Sequence, residues 1–176
     1  MQTTSLKPDR IRPAQTSDAH AIQAIYAHHV AHGTGTFDTE APDAEFWRCK
    51  LAHFERKGWP FLVAQIEDEV IAYAYAAQFR ERAAYAQTCE DSIYVAPDAC
   101  GGGAGTMLLG HLIEAARSAG FKQMIAVVGG GEPASIALHT KLGFEHAGRL
   151  RQVGSKFGRK LDTVYMQRDL TRKDAQ

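Results

Sequence analysis

The chain lacks the cysteine patterns that mark disulfide-rich or zinc-binding proteins. Its three cysteines are Cys49, Cys89 and Cys100; they are odd in number, widely spaced and contain no C-x-x-C pair, which argues against both classes. We expect Cys49 and Cys89 to be small buried hydrophobic residues. His28 and His32 lie four apart on a predicted helix, but the sequence offers no third ligand at useful spacing, so no metal site is expected.

Long apolar runs and an excess of charge are also absent. No segment approaches the ~18 consecutive apolar residues of a membrane-spanning helix, and the first seven residues, MQTTSLK, lack the apolar region of a secretory signal. The 20 Lys and Arg balance the 20 Asp and Glu, so no basic surface indicates nucleic acid. We therefore expect a cytoplasmic protein with neither a nucleic-acid nor a membrane partner.

The length and the order of the predicted elements indicate one α/β (α+β) domain. A chain of 176 residues can bury a core without disulfides or metals. We expect a single domain over 10–170, with tails at 1–9 and 171–176. The hydrophobic pattern predicts strand, two helices, three largely antiparallel strands, helix, strand, helix and two strands. The unit around 87–128 should be a parallel strand–helix–strand, and a loop at 154–160 should separate the last strands, at 145–153 and 161–168.

A glycine-rich loop follows the predicted strand that ends in EDSIYV. The loop, ACGGGAG, leads directly into a predicted helix. Backbone N–H groups in such a loop, together with a helix N-terminus, form a site for an anion such as pyrophosphate. A P-loop would require a Lys after the glycines, and a Rossmann fingerprint would require an acidic residue on the next strand. Neither is present, so both of these nucleotide-binding motifs are excluded.

The loop resembles motif A of the GNAT superfamily of acetyl-CoA-dependent N-acetyltransferases, (Gln/Arg)-x-x-Gly-x-(Gly/Ala). The segment CGGGAG at 100–105 aligns with it, and PASIALHTKLGF at 133–144 resembles the motif B that follows. The resemblance extends from Ile11 to about Leu170. It implies a GNAT fold, with a mixed central sheet of about seven strands flanked by about four helices, and it implies acetyl-CoA as co-substrate.

Five blocks in the same order resemble the phosphinothricin N-acetyltransferase group, which includes methionine sulfoximine and methionine sulfone acetyltransferases. They are IRPA at 11–14, FDTE at 37–40, EDSIYV at 90–95, SIALH at 135–139 and VGSKFG at 153–158. The resemblance implies a homodimeric enzyme that acetylates the α-amino group of such a small amino-acid-like acceptor, giving detoxification or resistance. Two alternatives stay open: acetylation of a protein N-terminus, polyamine or aminoglycoside, and an acetyl-CoA-binding module without catalysis.

The resemblance also implies which residues form the site. Glu90, on the strand before the loop, is the expected catalytic base, directly or through a water; an ion pair with a neighbouring Arg is its alternative reading. His139 is the second expected catalytic residue, and a helix histidine satisfied in the core is equally compatible with the sequence. The backbone N–H of Val95 is the expected donor to the thioester carbonyl. The expected cofactor-binding residues are Ile93, Tyr94, Val95, Cys100, Gly101, Gly102, Gly103, Ala104, Gly105, Thr106, Glu132 and Ser135.

The expected substrate-binding residues are Phe37, Arg80, Arg82, Tyr85 and Ser155. Arginine suits bidentate binding of a carboxylate or phosphinate, although a solvated charged turn is the alternative for this segment. For Phe37 the alternative is packing in the core, and for Ser155 it is a position in a β-turn. Four positions depart from the family pattern: Cys100 replaces Gln or Arg, Gly101 replaces a basic residue, Glu132 replaces Asn, and Lys160 replaces a common Trp. We therefore expect backbone N–H groups to bind the pyrophosphate, with the Glu132 charge near an anionic cofactor.

Overall fold

The computed structural model describes residues 7–172, so residues 1–6 and 173–176 of the two predicted tails lie outside the described part of the chain. The described chain contains seven strands and four α-helices. In order they are β1 (Arg10–Pro13), α1 (Ala19–His32), α2 (Ala44–Lys57), β2 (Phe61–Ile66), β3 (Glu69–Gln78), β4 (Thr88–Val95), α3 (Ala104–Ser118), β5 (Gln123–Gly129), α4 (Pro133–Lys141), β6 (Glu145–Lys156) and β7 (Arg159–Asp169).

All seven strands form one open sheet in the order β1-β2-β3-β4-β5-β7-β6. Every neighbouring pair is antiparallel except β4 and β5, which are parallel, as expected for two strands joined through a helix. This mixed seven-stranded sheet with four helices confirms the predicted fold class. The parallel pairing of β4 with β5 also confirms the predicted strand–helix–strand unit.

The helices cover the sheet on two faces and bury two apolar clusters. On one face, α1 and α2 pack against β2 and β3 around Trp47, Tyr26 and Tyr73. On the other face, α3 presents Leu108, Leu109 and other apolar residues at helical spacing to the alanine-rich side of β3. Small side chains on this side of the strand bring the glycine-rich loop, at the start of α3, close to the sheet.

The last two strands are longer than the sequence predicts. β6 and β7 extend to Lys156 and Arg159, and only Phe157 and Gly158 separate them, so the predicted loop at 154–160 is wrong. Both turn residues have positive φ, 52° and 69°, which matches the twist of a two-residue hairpin turn. Gly158 is a usual residue for this turn, whereas Phe157 is an unusual one, and the sequence pattern therefore does not reveal it.

One of the two cysteine predictions is wrong. Cys89 is fully buried on β4, as predicted, but Cys49 is exposed on α2, with its thiol 3.7 Å from Glu45. Cys49 lies two residues after the buried Trp47 on the same helix, and this spacing turns it away from the sheet. Within residues 7–172, no helix is long and apolar enough to cross a bilayer.

Candidate active site

The parallel strands β4 and β5 separate partway along their length. They pair only from Thr88–Asp91 with Gln123–Ala126; beyond this ladder β4 continues beside β3, and β5 continues beside β7. A cavity of about 1010 Å³ lies at the opening. Its lining comes from β4, β5, the glycine-rich loop, α4 and the segment that follows α1. The opening therefore connects the two faces of the sheet.

Consecutive side chains of β4 face opposite sides of this opening, as alternation along a strand requires. Tyr94 packs against Tyr26 and Tyr73 on the face covered by α1 and α2, and Glu90 shares that face. Asp91 lies on the face covered by α3 and α4, where it contacts His139. We call these two sides the α1/α2 face and the α3/α4 face.

The backbone of β4 turns polar groups toward the opening. Ala96 donates to the carbonyl of Ile71 at 2.8 Å, and hydrogen-bonding direction alternates along an antiparallel strand. The N–H and C=O of Val95, one residue earlier, therefore point away from β3 and toward the opening. His29, on α1, donates from Nε2 to the Val95 carbonyl at 2.8 Å and fixes this end of the strand. Burial lowers the pKa of His29, in keeping with a neutral ring.

The glycine-rich loop lines the cavity at the N-terminus of α3. Gly101 and Gly103 have φ of 81° and 88°, backbone conformations that side chains larger than glycine rarely adopt. The thiol of Cys100 donates to the Ala96 carbonyl at 3.4 Å, so this side chain bonds back to its own loop. The helix N-terminus and the loop N–H groups together suit an anion.

The predicted cofactor-binding residues are brought together almost completely. Gly102 is buried in the loop, outside the cavity lining of the described chain. The others line one cavity: Ile93, Tyr94, Val95, Cys100, Gly101, Gly103, Ala104, Gly105, Thr106, Glu132 and Ser135.

Glu90 lines the cavity and forms an ion pair with Arg80, whose Nη1 lies 3.8 Å from Glu90 Oε2. Burial raises the pKa of Glu90, and the neighbouring Asp91 charge raises it further. The positive charges of Arg80 and Lys50 lower this pKa, but the net effect is an increase. The Arg80 guanidinium also stacks on the ring of Phe79, 4.1 Å from its centroid. A carboxylate and a guanidinium therefore lie together at the α1/α2 side of the opening.

His139 is buried on the other side, between β4 and α4. Its Nε2 lies 3.0 Å from Asp91 Oδ2, and its Nδ1 lies 2.7 Å from the Ser135 carbonyl. Burial alone would lower the pKa of His139, but the charge and hydrogen bond of Asp91 outweigh it, so the pKa is raised. Asp91 is not among the site residues predicted from the sequence. Strand alternation could have found it, because the residue after Glu90 must face the helix that carries His139.

The segment Gly33–Phe37, which we call the strap, lines the cavity and is held at several points. Lys156, on β6, donates to the carbonyls of Gly33 and Thr36 at 2.9 and 3.0 Å. Thr34 donates its hydroxyl to Glu132 at the start of α4. Lys156 is not among the site residues predicted from the sequence, because its partners lie about 120 residues away along the chain.

The predicted substrate-binding residues are only partly brought together. Phe37 lines the cavity, with its ring packed so closely on Gly154 that a Cβ there would overlap it. Arg80, Arg82 and Tyr85 are exposed in the β3–β4 connection, and none of the three contributes to the cavity lining of the described chain. Arg80 reaches the site through its ion pair with Glu90, which does line the cavity. Ser155 is also exposed. Because Lys156 turns inward to the strap, the alternation of β6 turns Ser155 outward.

A model of a known family matches residues 11–165: Acetyltransf_4, an acetyltransferase (GNAT) domain. The chain belongs to the GNAT acetyltransferase family. A phosphinothricin N-acetyltransferase from Alcaligenes faecalis is 46% identical over 93% of this GNAT chain and 84% of its own. An L-methionine sulfoximine/L-methionine sulfone acetyltransferase from Pseudomonas paraeruginosa is 40% identical over 91% of this chain and 94% of its own.

A solved structure of a relative shows the same fold. The GNAT superfamily phosphinothricin acetyltransferase from Sinorhizobium meliloti, in complex with acetyl-CoA, matches with a TM-score of 0.89 and 43% identity. The match covers 91% of this chain and 87% of that chain. This GNAT chain is therefore an acetyltransferase that uses acetyl-CoA as its co-substrate.

The cavity of this GNAT enzyme has the chemistry that acetyl-CoA requires. The loop N–H groups and the α3 N-terminus suit the pyrophosphate, and the polar edge of β4 suits an extended amide-containing chain. The opening leads from that face to Glu90 on the other. Among residues 7–172, no group of three His, Cys, Asp or Glu side chains could hold a metal ion.

Proposed function

We propose that the enzyme transfers the acetyl group of acetyl-CoA to the α-amino group of a small amino-acid-like acceptor. The proposed acceptors are phosphinothricin, methionine sulfoximine and methionine sulfone, for which relatives at 46% and 40% identity are named. Acetylation of such compounds would give detoxification or resistance. The observation that carries this proposal is the pairing of Glu90 with Arg80 beside the opening. One group can take the proton of the acceptor's ammonium, and the other can bind its anion.

Glu90 is proposed as the general base. An ammonium group cannot attack a carbonyl until it has lost a proton, so a basic group must lie on the acceptor side of the opening. Burial makes the Glu90 carboxylate more basic than an exposed one by raising its pKa, which brings it closer to neutrality. Arg80 keeps the carboxylate in a defined position and supplies a positive charge next to it.

Val95 and His139 are proposed to act on the acetyl donor, which supplies an acetyl group activated as a thioester. The Val95 N–H, turned toward the opening, would donate to the carbonyl oxygen as negative charge develops there. His139, whose pKa is raised, would serve as the acid for the departing sulfur. The base and the acid then lie on opposite faces of one strand, so they do not neutralise each other directly.

The cations near Glu90 discriminate among the alternative acceptors. Besides Arg80, Lys50 contributes a positive charge on this side, with its Nζ 2.7 Å from the Tyr75 hydroxyl. A polyamine or an aminoglycoside would bring further positive charge to these two cations, whereas an acceptor carboxylate or phosphinate would be attracted. The presence of Glu90 and His139 in the cavity argues against a binding module without catalysis.

We also propose that two copies of the chain associate. β6 is an edge strand of the sheet, and an edge strand with apolar side chains favours pairing with another chain. Leu150, Val153 and Phe157, on β6 and its turn, are each about half exposed. The cytoplasmic location stays a prediction of the sequence.

An acceptor screen tests the proposed function. The enzyme is incubated with acetyl-CoA and each of the three acceptors, and released CoA is measured with a thiol reagent. A polyamine, an aminoglycoside and a peptide N-terminus serve as comparison acceptors. We expect CoA release with at least one of the three amino-acid acceptors and the highest kcat/KM among them. Acetyl-CoA binding by calorimetry without release for any acceptor would contradict the proposal and favour the binding module.

A further inference from the structure

Asp91 and His139 form a buried polar pair whose hydrogen bonds determine where the imidazole holds its protons. The two residues are only 6% and 2% exposed, and both line the cavity. Asp91 Oδ2 contacts His139 Nε2, whereas Oδ1 is buried with no hydrogen-bond partner among residues 7–172. Charged groups are rarely buried at this depth without a reason in function or specificity.

Both ring nitrogens of His139 face hydrogen-bond acceptors. A carbonyl oxygen can only accept, so Nδ1 must carry a proton when it bonds to the Ser135 carbonyl at 2.7 Å. Nε2 faces the Asp91 carboxylate at 3.0 Å and also donates. The doubly protonated ring satisfies both contacts. When the ring loses one proton, the remaining proton stays on Nε2, because a carboxylate is a stronger acceptor than a carbonyl.

We propose that Asp91 is a positioning residue that keeps a proton on His139 Nε2, so that the proton which the ring gives up is the one on Nδ1. This inference rests on the proposed role of His139 as the acid. The hydroxyl of Ser135 lies 3.4 Å from Nδ1, and Ser135 also lines the cavity. Ser135 therefore connects the exchangeable proton to the cavity.

The proposed transfer moves one proton from His139 through Ser135 to the leaving sulfur, in three coupled steps. Once the acceptor nitrogen, deprotonated by Glu90, has bonded to the carbonyl carbon, the C–S bond breaks and its electron pair remains on sulfur. The sulfur takes the hydroxyl proton of Ser135, and Ser135 Oγ regains a proton from His139 Nδ1. The ring is left neutral, with its remaining proton on Nε2 bonded to the Asp91 carboxylate. A carboxylate that fixes the tautomer of a histidine in this manner is a recurring arrangement in catalytic sites.

Few other charges surround the ring. On β4, the titratable neighbours of Asp91 are Cys89, on the same face, and Glu90, on the opposite face. From β7, Arg168 approaches Gly143, just beyond the end of α4. Lys141 is the other charged residue in the last turn of α4. Phe144 packs edge-on against the imidazole at 4.9 Å and excludes solvent from that side.

Nitrogen NMR of histidine-labelled protein tests the inference without relying on activity. The sequence contains eight histidines, so the His139 signals are assigned by their loss in His139→Gln. In the wild type we expect the neutral ring to carry its proton on Nε2. In Asp91→Asn we expect Nδ1–H instead, because the asparagine amide can donate to Nε2, together with a lower titration midpoint. An Nδ1–H tautomer in the wild type overturns the inference even if the variant does not fold.

Kinetics of two variants test the proton route. We expect Asp91→Asn to reduce kcat by about 10-fold, less than the ~10²–10⁴-fold contribution of a general acid–base group itself because Asp91 only positions that group, with acetyl-CoA affinity little changed. Ser135→Ala should lower kcat while leaving the Nε2–H tautomer intact. Asp68→Asn, at an exposed turn, is the matched control and should match the wild type. Wild-type kcat in Ser135→Ala would overturn the route through Nδ1.

The two proposals can fail independently. If no acceptor is acetylated, the proposed function fails, but the tautomer of His139 still confirms or contradicts the role of Asp91. If acetylation occurs and the tautomer and titration midpoint of His139 are the same in the wild type and Asp91→Asn, only the inference about Asp91 fails.

Discussion

Glu90 and Asp91 are consecutive residues whose carboxylates lie on opposite faces of the sheet, one paired with Arg80 and the other with His139. Strand alternation is the cause. At this point β4 leaves β5 and the cavity opens to both faces. The alternation of side chains along β4 thus places the proposed base and the partner of the proposed acid on opposite sides of one opening.

Replacement of Arg80 tests acceptor binding. In Arg80→Met the stem is retained and the charge is lost, so we expect the acceptor KM to rise about 10- to 100-fold, the equivalent of the ~1.5–3 kcal/mol of a hydrogen bond to a charged group. The acetyl-CoA KM should change little, because the glycine-rich loop lies on the other face. Arg82→Met is the control, because Arg82, like Arg80, is exposed and outside the cavity lining but is not part of the ion pair with Glu90. Equal effects of the two substitutions would remove Arg80 from the acceptor site.

The dependence of kcat on pH should be bell-shaped, because the proposed base must be unprotonated and the proposed acid protonated. The pKa of Glu90 is raised from 4.5 by burial, so the rising limb should lie above pH 4.5. The pKa of His139 is raised from 6.5, since Asp91 outweighs burial, so activity should fall only above pH 6.5. Steady-state rates in overlapping buffers measure both limbs. A falling limb below pH 6.5 would contradict His139 as the acid.

The fold, and the grouping of most proposed cofactor-binding residues around one cavity, could be predicted because both are encoded locally. The glycines of the loop, the helix that follows it and the hydrophobic periods of the strands are contiguous in sequence. The contacts of Lys156 with the strap could not be predicted, since they join segments about 120 residues apart. The turn at Phe157 was missed because only tertiary structure reveals a positive φ at a bulky residue.

The structure brings together fewer of the residues predicted to bind the acceptor. The alternation of side chains along a strand explains part of this difference. Ser155 was chosen from a short motif, but its neighbour Lys156 is the residue that faces inward. The motif likewise predicts Glu90 but not Asp91. A motif indicates a position in the chain, whereas the alternation of the strand determines which face of the sheet each side chain reaches. Applying alternation to Glu90 would have indicated Asp91, whereas the inward position of Lys156 depends on its distant partners in the strap.

The charge of Glu132 should weaken binding of the anionic co-substrate. Its carboxylate lines the cavity and accepts a hydrogen bond from Thr34, which a glutamine can also accept. We expect Glu132→Gln to bind acetyl-CoA about 2- to 5-fold more tightly, the scale of the ~0.2–1 kcal/mol measured for partly exposed charge pairs. Salt should reduce this difference. Calorimetry at two ionic strengths measures both effects, and weaker binding by the variant would instead show that the carboxylate is needed to hold the strap.

The exposed apolar residues of β6 should affect the oligomeric state. Val153 is 55% exposed on this edge strand, and a charge there should oppose burial between two copies. We expect the wild type to sediment as a dimer and Val153→Lys to shift toward the monomer. Arg151→Lys, at a nearby exposed position, should leave the dimer intact. A monomeric wild type at all concentrations would contradict the proposed association.

The central claim is that acetyl transfer to an amino acid takes place at the opening beside Glu90. The most direct measurement is mass spectrometry of the N-acetylated acceptor formed by the wild type, Glu90→Gln and the exposed control Glu81→Gln. We expect product from the wild type and the control. The rate for Glu90→Gln should fall by about 10²–10⁴-fold, as for loss of a general base, while calorimetry shows unchanged acetyl-CoA affinity. Wild-type product formation by Glu90→Gln would contradict the claim.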